Sequence, residues 1–362
     1  MRRAGSQTWS DARPQSRSSA RPQSWSSARP QARRDAFERA APSSADARAT
    51  LRTLRDLLRF AVSRFEAAGL AYGQGTDNAR DEAAWLLLWS LHLPPDELEM
   101  WLDCRLTGAE IDAALALVER RCDERVPAAW LTGEAWLRGL RFRSDARALV
   151  PRSLIAEALE ESLADWLAED MPEWLDADAG AQEGSEGWPE RVLDLCTGGG
   201  SLAILAALRF PGAEVVGSDL SADALSLAAE NLALHQLEDR VRLAQGDLFA
   251  GLAAGERFDL ILCNPPYVNA ASMAALPPEF RAEPQIALAG GTDGMDFVRR
   301  LLDEAPARLN PRGLLVLEIG HEAEHFEAAF PDLEFAWLPV TAGERMIVAA
   351  TRRALDARAA RR

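Results

Sequence analysis

Between residues 190 and 350, short apolar runs alternate with helix-patterned stretches of about 10–15 residues, a spacing that tight hairpins cannot produce. The runs at 191–196, 214–218, 241–244, 258–263, 313–319, 333–337 and 344–350 read as strands. Helices are expected at 201–209, from the acid at 219 to 235, at 295–309 and at 322–330. A strand that reaches its neighbour through a helix runs parallel to it, and helices then cover both faces of the sheet. The expected class is therefore α/β, a sheet of seven strands, and such sheets bind ligands beyond the carboxyl ends of their strands.

Ahead of this half the period changes to that of a helix. Leu51, Leu54, Leu57, Leu58, Ala61, Val62 and Phe65 recur at three- and four-residue spacing, one apolar face of a helix. A second helix is expected over 78–91, and a third after Thr107, whose partner Glu110 completes a capping box. Residues 51–133 are read as a helical domain that selects substrate, and 134–168 as a hairpin around Gly139 followed by a connecting helix. An acidic insertion is expected at 169–189, the sheet domain at 190–352 and a basic tail at 353–362.

Charge divides the chain again. Residues 1–50 hold ten arginines and four acids, a net of +6, which leaves −22 on the remainder of a chain whose total is −16. Ala-Arg-Pro-Gln recurs there at 12–15, 20–23 and 28–31 with few aliphatic residues between, so a disordered basic extension is expected. Organellar transit peptides share the Arg/Ser-rich composition, but no periodic apolar face supports a targeting helix. No apolar run approaches the ~20 residues of a membrane span. The four cysteines lack CxxC spacing, which excludes a zinc ribbon and fits a reducing cytoplasm. A body at −22 is also poorly suited to holding bare nucleic acid.

The first chemical feature is a strand running into Gly198-x-Gly200-x-x-Ala203, with Asp219 nineteen residues after Gly200. Glycines there let the backbone approach a nucleotide, and an acid at the next strand tip can accept from both ribose hydroxyls. Those features serve a nicotinamide cofactor and S-adenosyl-L-methionine equally, since both carry an adenosine ribose. Asn264-Pro265-Pro266-Tyr267, just past the fourth strand, decides between them. An amide or exocyclic amine is a poor nucleophile because its lone pair is delocalised. The Asn264 side-chain oxygen and the Pro265 carbonyl can hold both N–H protons and aim the nitrogen. Pro266 stiffens the loop, and Tyr267 can stack on the planar group.

Here the sequence resembles the S-adenosylmethionine-dependent amino methyltransferases, and more closely the protein-glutamine methyltransferases. The resemblance runs through Asp194-Leu195-Cys196-Thr197-Gly198-Gly199-Gly200, Gly246-Asp247-Leu248-Phe249, Arg138-Gly139-Leu140 and Pro151-Arg152-Ser153. It implies the Rossmann-like class I methyltransferase sheet with an N-terminal helical domain. It also implies S-adenosyl-L-methionine held by Asp194, Cys196, Thr197, Gly198, Gly199, Gly200, Asp219, Asp247, Leu248 and Asn264. Catalysis would fall to Asn264, Pro265, Pro266 and Tyr267. Leu276-Pro277, Glu279-Phe280-Arg281, Glu283-Pro284 and the run from Ala287 to Gly294 resemble the branch that methylates a glutamine of large-subunit ribosomal protein L-three. The release-factor branch, which continues Pro-Arg with Pro and carries an aromatic where Leu248 stands, is the alternative. A DNA or RNA amino methyltransferase also shares Asn-Pro-Pro-Tyr, and a cofactor-binding scaffold without catalysis is a third class. The resemblance implies a cytoplasmic enzyme with a ribosomal-protein substrate and neither membrane nor direct nucleic-acid partner.

Other residues read as structural. His321-Glu322-x-x-His325 has the spacing of a zinc-protease motif but no evident third ligand, so no metal is expected. Glu318 at a strand tip could orient a loop or be a plain charged strand end. Cys196 and Cys263 read as small fillers, and the tryptophans of the helical half as core.

Overall fold

The computed structural model describes residues 43–163, 166–167 and 189–362. The basic extension up to residue 42, and residues 169–188 of the acidic insertion expected at 169–189, lie outside the described residues.

The helical part comprises α1 (Ser44–Thr50), α2 (Leu54–Ala68), α3 (Ala79–Ser90), α4 (Leu98–Trp101), α5 (Gly108–Glu124) and α6 (Ala128–Thr132). Its longer helices start where side chains satisfy their orphan N–H groups: Thr53 with Asp56, Asn78, and Thr107 with Glu110. Leu54, Leu57, Leu58, Ala61 and Phe65 of α2 are buried against α3 and α5, as the spacing predicts. α1 corrects the reading of 1–50 as one disordered extension. Ser43 caps this helix and Ala47 is buried in the helical core, so the last turn of that stretch has an apolar anchor.

A hairpin follows, β1 (Glu134–Leu137) and β2 (Leu140–Arg143), turned by Arg138 and Gly139 at φ 49° and 75°. Two positive φ values in succession match the right-handed twist of the strands they join. After α7 (Ile155–Glu160) comes the sheet domain. In chain order it holds β3 (Arg191–Leu195), α8 (Ser201–Arg209), β4 (Glu214–Asp219), α9 (Ala222–His235), β5 (Val241–Gln245) and β6 (Phe258–Cys263). Then follow α10 (Ala270–Ala275), α11 (Pro278–Arg281), α12 (Asp296–Arg308), β7 (Leu309–Glu318), α13 (Ala323–Ala329), β8 (Ala336–Val340), β9 (Gly343–Thr351) and α14 (Arg352–Arg361).

The seven strands are ordered β5-β4-β3-β6-β7-β9-β8. β5, β4, β3, β6 and β7 are parallel, but β9 runs antiparallel to both β7 and β8. That corrects the expectation of a wholly parallel sheet: only two residues separate β8 from β9, too few for a crossover helix. Side chains alternate between two cores. Leu193, Leu195, Ile261, Leu315 and Leu317 face α12, α13 and α14, whereas Val192, Leu260, Leu262, Leu314 and Val316 face α7 and α8. The basic tail expected at 353–362 is instead the body of α14. Ala354 and Leu355 are buried, and Arg358 lies over the Phe330 ring and 2.9 Å from Asp303.

Candidate active site

The strand order reverses at β3, which has β4 on one side and β6 on the other, so a crevice opens there at the carboxyl ends. Leu195 is in register with Ser218 and Cys263, Asp219 with Gln245, and Cys263 with Leu317. One sheet edge therefore collects residues 196–200, Asp219, residues 246–248, residues 264–267 and Glu318.

The loop after β3 turns sharply. Cys196, Gly198 and Gly200 take φ of 63°, 54° and 83°, a region glycine enters freely and cysteine only when its surroundings hold it there. Asp194 does part of that holding. Its buried Oδ2 accepts from the Thr197 hydroxyl at 2.6 Å and from the Ala203 amide at 2.8 Å. It thus sits beneath the loop, on the α8 side of the sheet. Burial pushes this carboxyl up to about 7 despite those two donors. The loop is also held from the α9 side. Asn231, buried within α9, donates to the Gly199 and Arg143 carbonyls and accepts from the Arg143 amide. A Cβ on Gly200 would stand 3.1 Å from that of Ala228, so loop and helix touch at the glycine.

Asp219 ends β4 with its carboxylate turned to the loop. Oδ2 accepts from the Gly198 amide and Oδ1 from the Ser221 amide, each at 2.9 Å. Burial raises its affinity for a proton, and the backbone donors of Ser221 and Gly198 oppose that. At the end of β5, Gly246 and Gly251 approach so closely that a Cβ on Gly246 would lie 2.2 Å from the Gly251 nitrogen. Asp247 is exposed and pairs with Arg300 at 2.8 Å, while the Leu248 side chain packs in the core.

Asn264 and Tyr267 are half-buried. Among the described residues, neither the Asn264 side chain nor the Pro265 carbonyl has a hydrogen-bond partner. The loop they belong to is braced from behind: Val268 donates to the Leu288 carbonyl and accepts from the Gly290 amide. A Cβ on Gly290 would come 2.8 Å from the Pro266 oxygen, and one on Gly294 2.2 Å from the Tyr267 oxygen. This is the physical need for glycine in the run ending at 294. The Tyr267 hydroxyl donates to Glu318 Oε1 at 3.0 Å.

Three buried carboxylates brace this loop; the sequence leaves Glu318 between orienting a loop and ending a strand, and gives Glu279 and Glu283 no role beyond the resemblance. Glu318 accepts from Tyr267, Ser153 and the Leu154 amide. Glu283 takes both guanidinium arms of Arg152, at 2.6 and 2.8 Å, and the Val150 amide. Glu279 pairs with Arg125 at 2.8 Å and Arg121 at 3.5 Å, and Arg121 also holds Glu82 at 2.7 Å. All three are buried, and each joins the segment around Asn-Pro-Pro-Tyr to a distant part of the chain. In the HExxH-spaced segment, Glu322 accepts from Asn269 and lies 2.5 Å from His325 Nδ1. Among the described residues no group of three or more His, Cys, Asp or Glu is placed to hold a metal. A cavity of about 660 Å³ lies elsewhere, lined by Arg191, Glu214, Glu238 and Arg240, and shares no residue with the crevice.

A glycine cradle beside a loop with unpartnered acceptors, at the point where strand order reverses, defines a Rossmann-like methyltransferase. Residues 184–278 match the Methyltransferase small domain and residues 56–133 the PrmC N-terminal domain. The ribosomal protein uL3 glutamine methyltransferase of Bordetella pertussis is 54% identical over 309 residues, 85% of this chain and 98% of that protein. The protein of the same name from Neisseria meningitidis serogroup B is 45% identical over 305 residues, covering 84% and 95%. The solved 16S rRNA N2 G1207 methyltransferase of T. thermophilus, in complex with AdoMet and guanosine, is similar at TM-score 0.38 and 22% identity, over 60% of this chain and 49% of that one. This chain belongs to the family of ribosomal protein uL3 glutamine methyltransferases.

Proposed function

We propose that this protein transfers a methyl group from S-adenosyl-L-methionine to the side-chain amide nitrogen of a glutamine in ribosomal protein uL3. The observation that carries the reading is the loop at 264–267. Two acceptors that have no partner among the described residues stand at the sheet edge that also holds the glycine cradle and Asp219.

The residues present fit the donor. Gly198 and Gly200 occupy left-handed backbone, and a Cβ on Gly200 would press on Ala228, so glycine lets the loop lie close against a ligand. Asp219 spends one hydrogen bond per oxygen on backbone, which leaves lone pairs on both for two ribose hydroxyls. Asp194 would serve from beneath, by fixing Thr197 and the start of α8. Asp247 can accept from the adenine amine on the side not taken by Arg300. When bound, S-adenosyl-L-methionine supplies a methyl group on a positively charged sulfur.

The chain's own residues act on the glutamine. The Asn264 side-chain oxygen and the Pro265 carbonyl each accept one N–H of the carboxamide, which fixes the plane of the nitrogen. Pro265 and Pro266 offer no N–H to compete for those acceptors. The Tyr267 ring gives the planar amide a surface to rest on. Rate then comes from placing nitrogen and methyl in line. A body at −22 attracts a basic ribosomal protein and repels a nucleic-acid backbone, which favours the protein over DNA or RNA as substrate. A ribosomal-protein substrate fits the expected cytoplasmic enzyme.

Incubation with methyl-labelled donor and purified uL3, release factor or nucleic acid tests the reading. Label is expected on a uL3 glutamine, and label confined to release factor or nucleic acid would overturn it. Asn264→Ala should lower turnover by about 100-fold or more, since misplaced reactants lose that much, while donor affinity by calorimetry stays within about twofold.

A further inference from the structure

Tyr267 sits where the functional loop meets two other segments. Its ring lies against the backbone turn after β7: a Cβ on Gly320 would be 2.7 Å from Tyr267 Cε2 and 3.0 Å from its hydroxyl oxygen. Beyond that contact, the ring is held by its hydroxyl. The acceptor is Glu318, the last residue of β7 and only 4% exposed.

Glu318 is more than a partner for Tyr267. Its other oxygen accepts from the Ser153 hydroxyl at 2.6 Å and the Leu154 amide at 2.9 Å. Three donors on two oxygens satisfy an acceptor-only carboxylate. Burial raises its proton affinity, and hydrogen bonds from Ser153, Tyr267 and Leu154 oppose that rise. Next to it, Arg152 is tied to Glu283 by both arms, so the positive charge is already paired. Desolvating a carboxylate is costly unless donors take up its lone pairs, and here the fold supplies three donors from two segments far apart in sequence.

We infer that Glu318 is the positioning residue of this site: it fixes the Tyr267 ring by its hydroxyl and ties the loop at 264–267 to the turn at 151–154. The inference rests on the functional reading above for its effect on turnover, but not for its effect on Tyr267 itself. Glu318→Gln separates the two halves of the network. Its carbonyl can still accept from Ser153 and Leu154, while its amide N–H now faces the Tyr267 hydroxyl, so the charged acceptor is lost and that bond persists only in reverse, as a weaker neutral one.

The chain has two tyrosines, Tyr72 and Tyr267, so protein labelled with 3-fluorotyrosine gives fluorine signals from two rings, and Tyr267→Phe assigns them. Glu318→Gln should shift or broaden the Tyr267 signal and leave that of Tyr72 in place. With uL3 as substrate, Tyr267→Phe and Glu318→Gln should each lower kcat by about tenfold, the worth of one hydrogen bond to a charged group. KM for uL3 and Kd for the donor should stay within about twofold, because a positioning bond acts on the aligned state. The double variant should be no slower than the slower single variant. An unmoved Tyr267 signal in Glu318→Gln, or kcat losses that multiply in the double variant, would overturn the inference. Should Glu318→Gln fail to fold, an unchanged kcat in Tyr267→Phe overturns it equally. A wild-type enzyme that leaves uL3 unmethylated overturns the functional reading instead, and the fluorine signals still decide the role of Glu318.

Discussion

Asp194 shows how a single residue can carry the pH behaviour of a fold. Its carboxyl titrates near 7 in the native protein against 3.8 when solvated, because burial outweighs the Thr197 and Ala203 donors. The folded state therefore binds the proton more tightly, and the stability this gives is complete below about pH 4 and lost as pH rises through 7. Asp194→Asn removes the charge and keeps an oxygen for both donors. Its thermal midpoint should fall less than that of wild type between pH 5 and 8, and parallel curves would show that Asp194 is not the titrating group. The sequence revealed this residue as part of a loop motif but not its depth, which depends on α8 lying across it. The residue types of Asn264 and Tyr267 point to amide chemistry before any fold is known. Glu318 reads equally as a loop-orienting group or a plain strand end, since a carboxylate there looks the same in water as it does with three donors around it.

Elements were readable where local chemistry sets them. Helices α2 and α5 begin at their Thr caps because an unsatisfied N–H costs the same in any fold. The direction of β9 and the helical form of the final residues needed partners from elsewhere. Arg358 is buried only because α12 brings Asp303 and the turn after α13 brings Asp332. Similarly, α5 and α11 are locked by Arg121, which is 1% exposed between Glu82 and Glu279. Burial raises the proton affinity of Glu82, and the charge of Arg121 opposes it. Removing the cation leaves two buried carboxylates facing each other, so Arg121→Ala should destabilise the protein by about 3–5 kcal/mol in equilibrium denaturation. A loss under about 1 kcal/mol, the worth of a surface pair, would mean that water reaches the cluster.

At the scale of the molecule, charge and architecture work together. Helical part and sheet domain are joined by Arg121 and Arg125 on Glu279, so the part that would select substrate is fixed to the segment just beyond the loop at 264–267. The net −22 beyond residue 50 acts over longer distances, and salt shortens its reach from about 8 Å at physiological strength to about 3 Å at 1 M. Raising salt from about 50 to 500 mM should therefore increase KM for uL3 several-fold while donor affinity changes by less than about twofold. Equal salt dependence of the two would remove the case for steering. Among the described residues no helix is long and apolar enough to cross a membrane.

Sequence alone determined the alternation of strand and helix, the capped helices ahead of it, the glycine turn after β3 and the residue types of the loop at 264–267. Each follows from short-range physics: periodic burial, cap geometry, backbone freedom and the hydrogen-bonding groups a side chain owns. Tertiary structure decided the antiparallel β9, the packed α14 and the partners of Glu279, Glu283 and Glu318. Those outcomes rest on segments up to about 200 residues apart meeting in a medium from which water is excluded. In water such a carboxylate is an ordinary surface charge. Away from water it must find donors, and only the assembled fold shows which ones it finds.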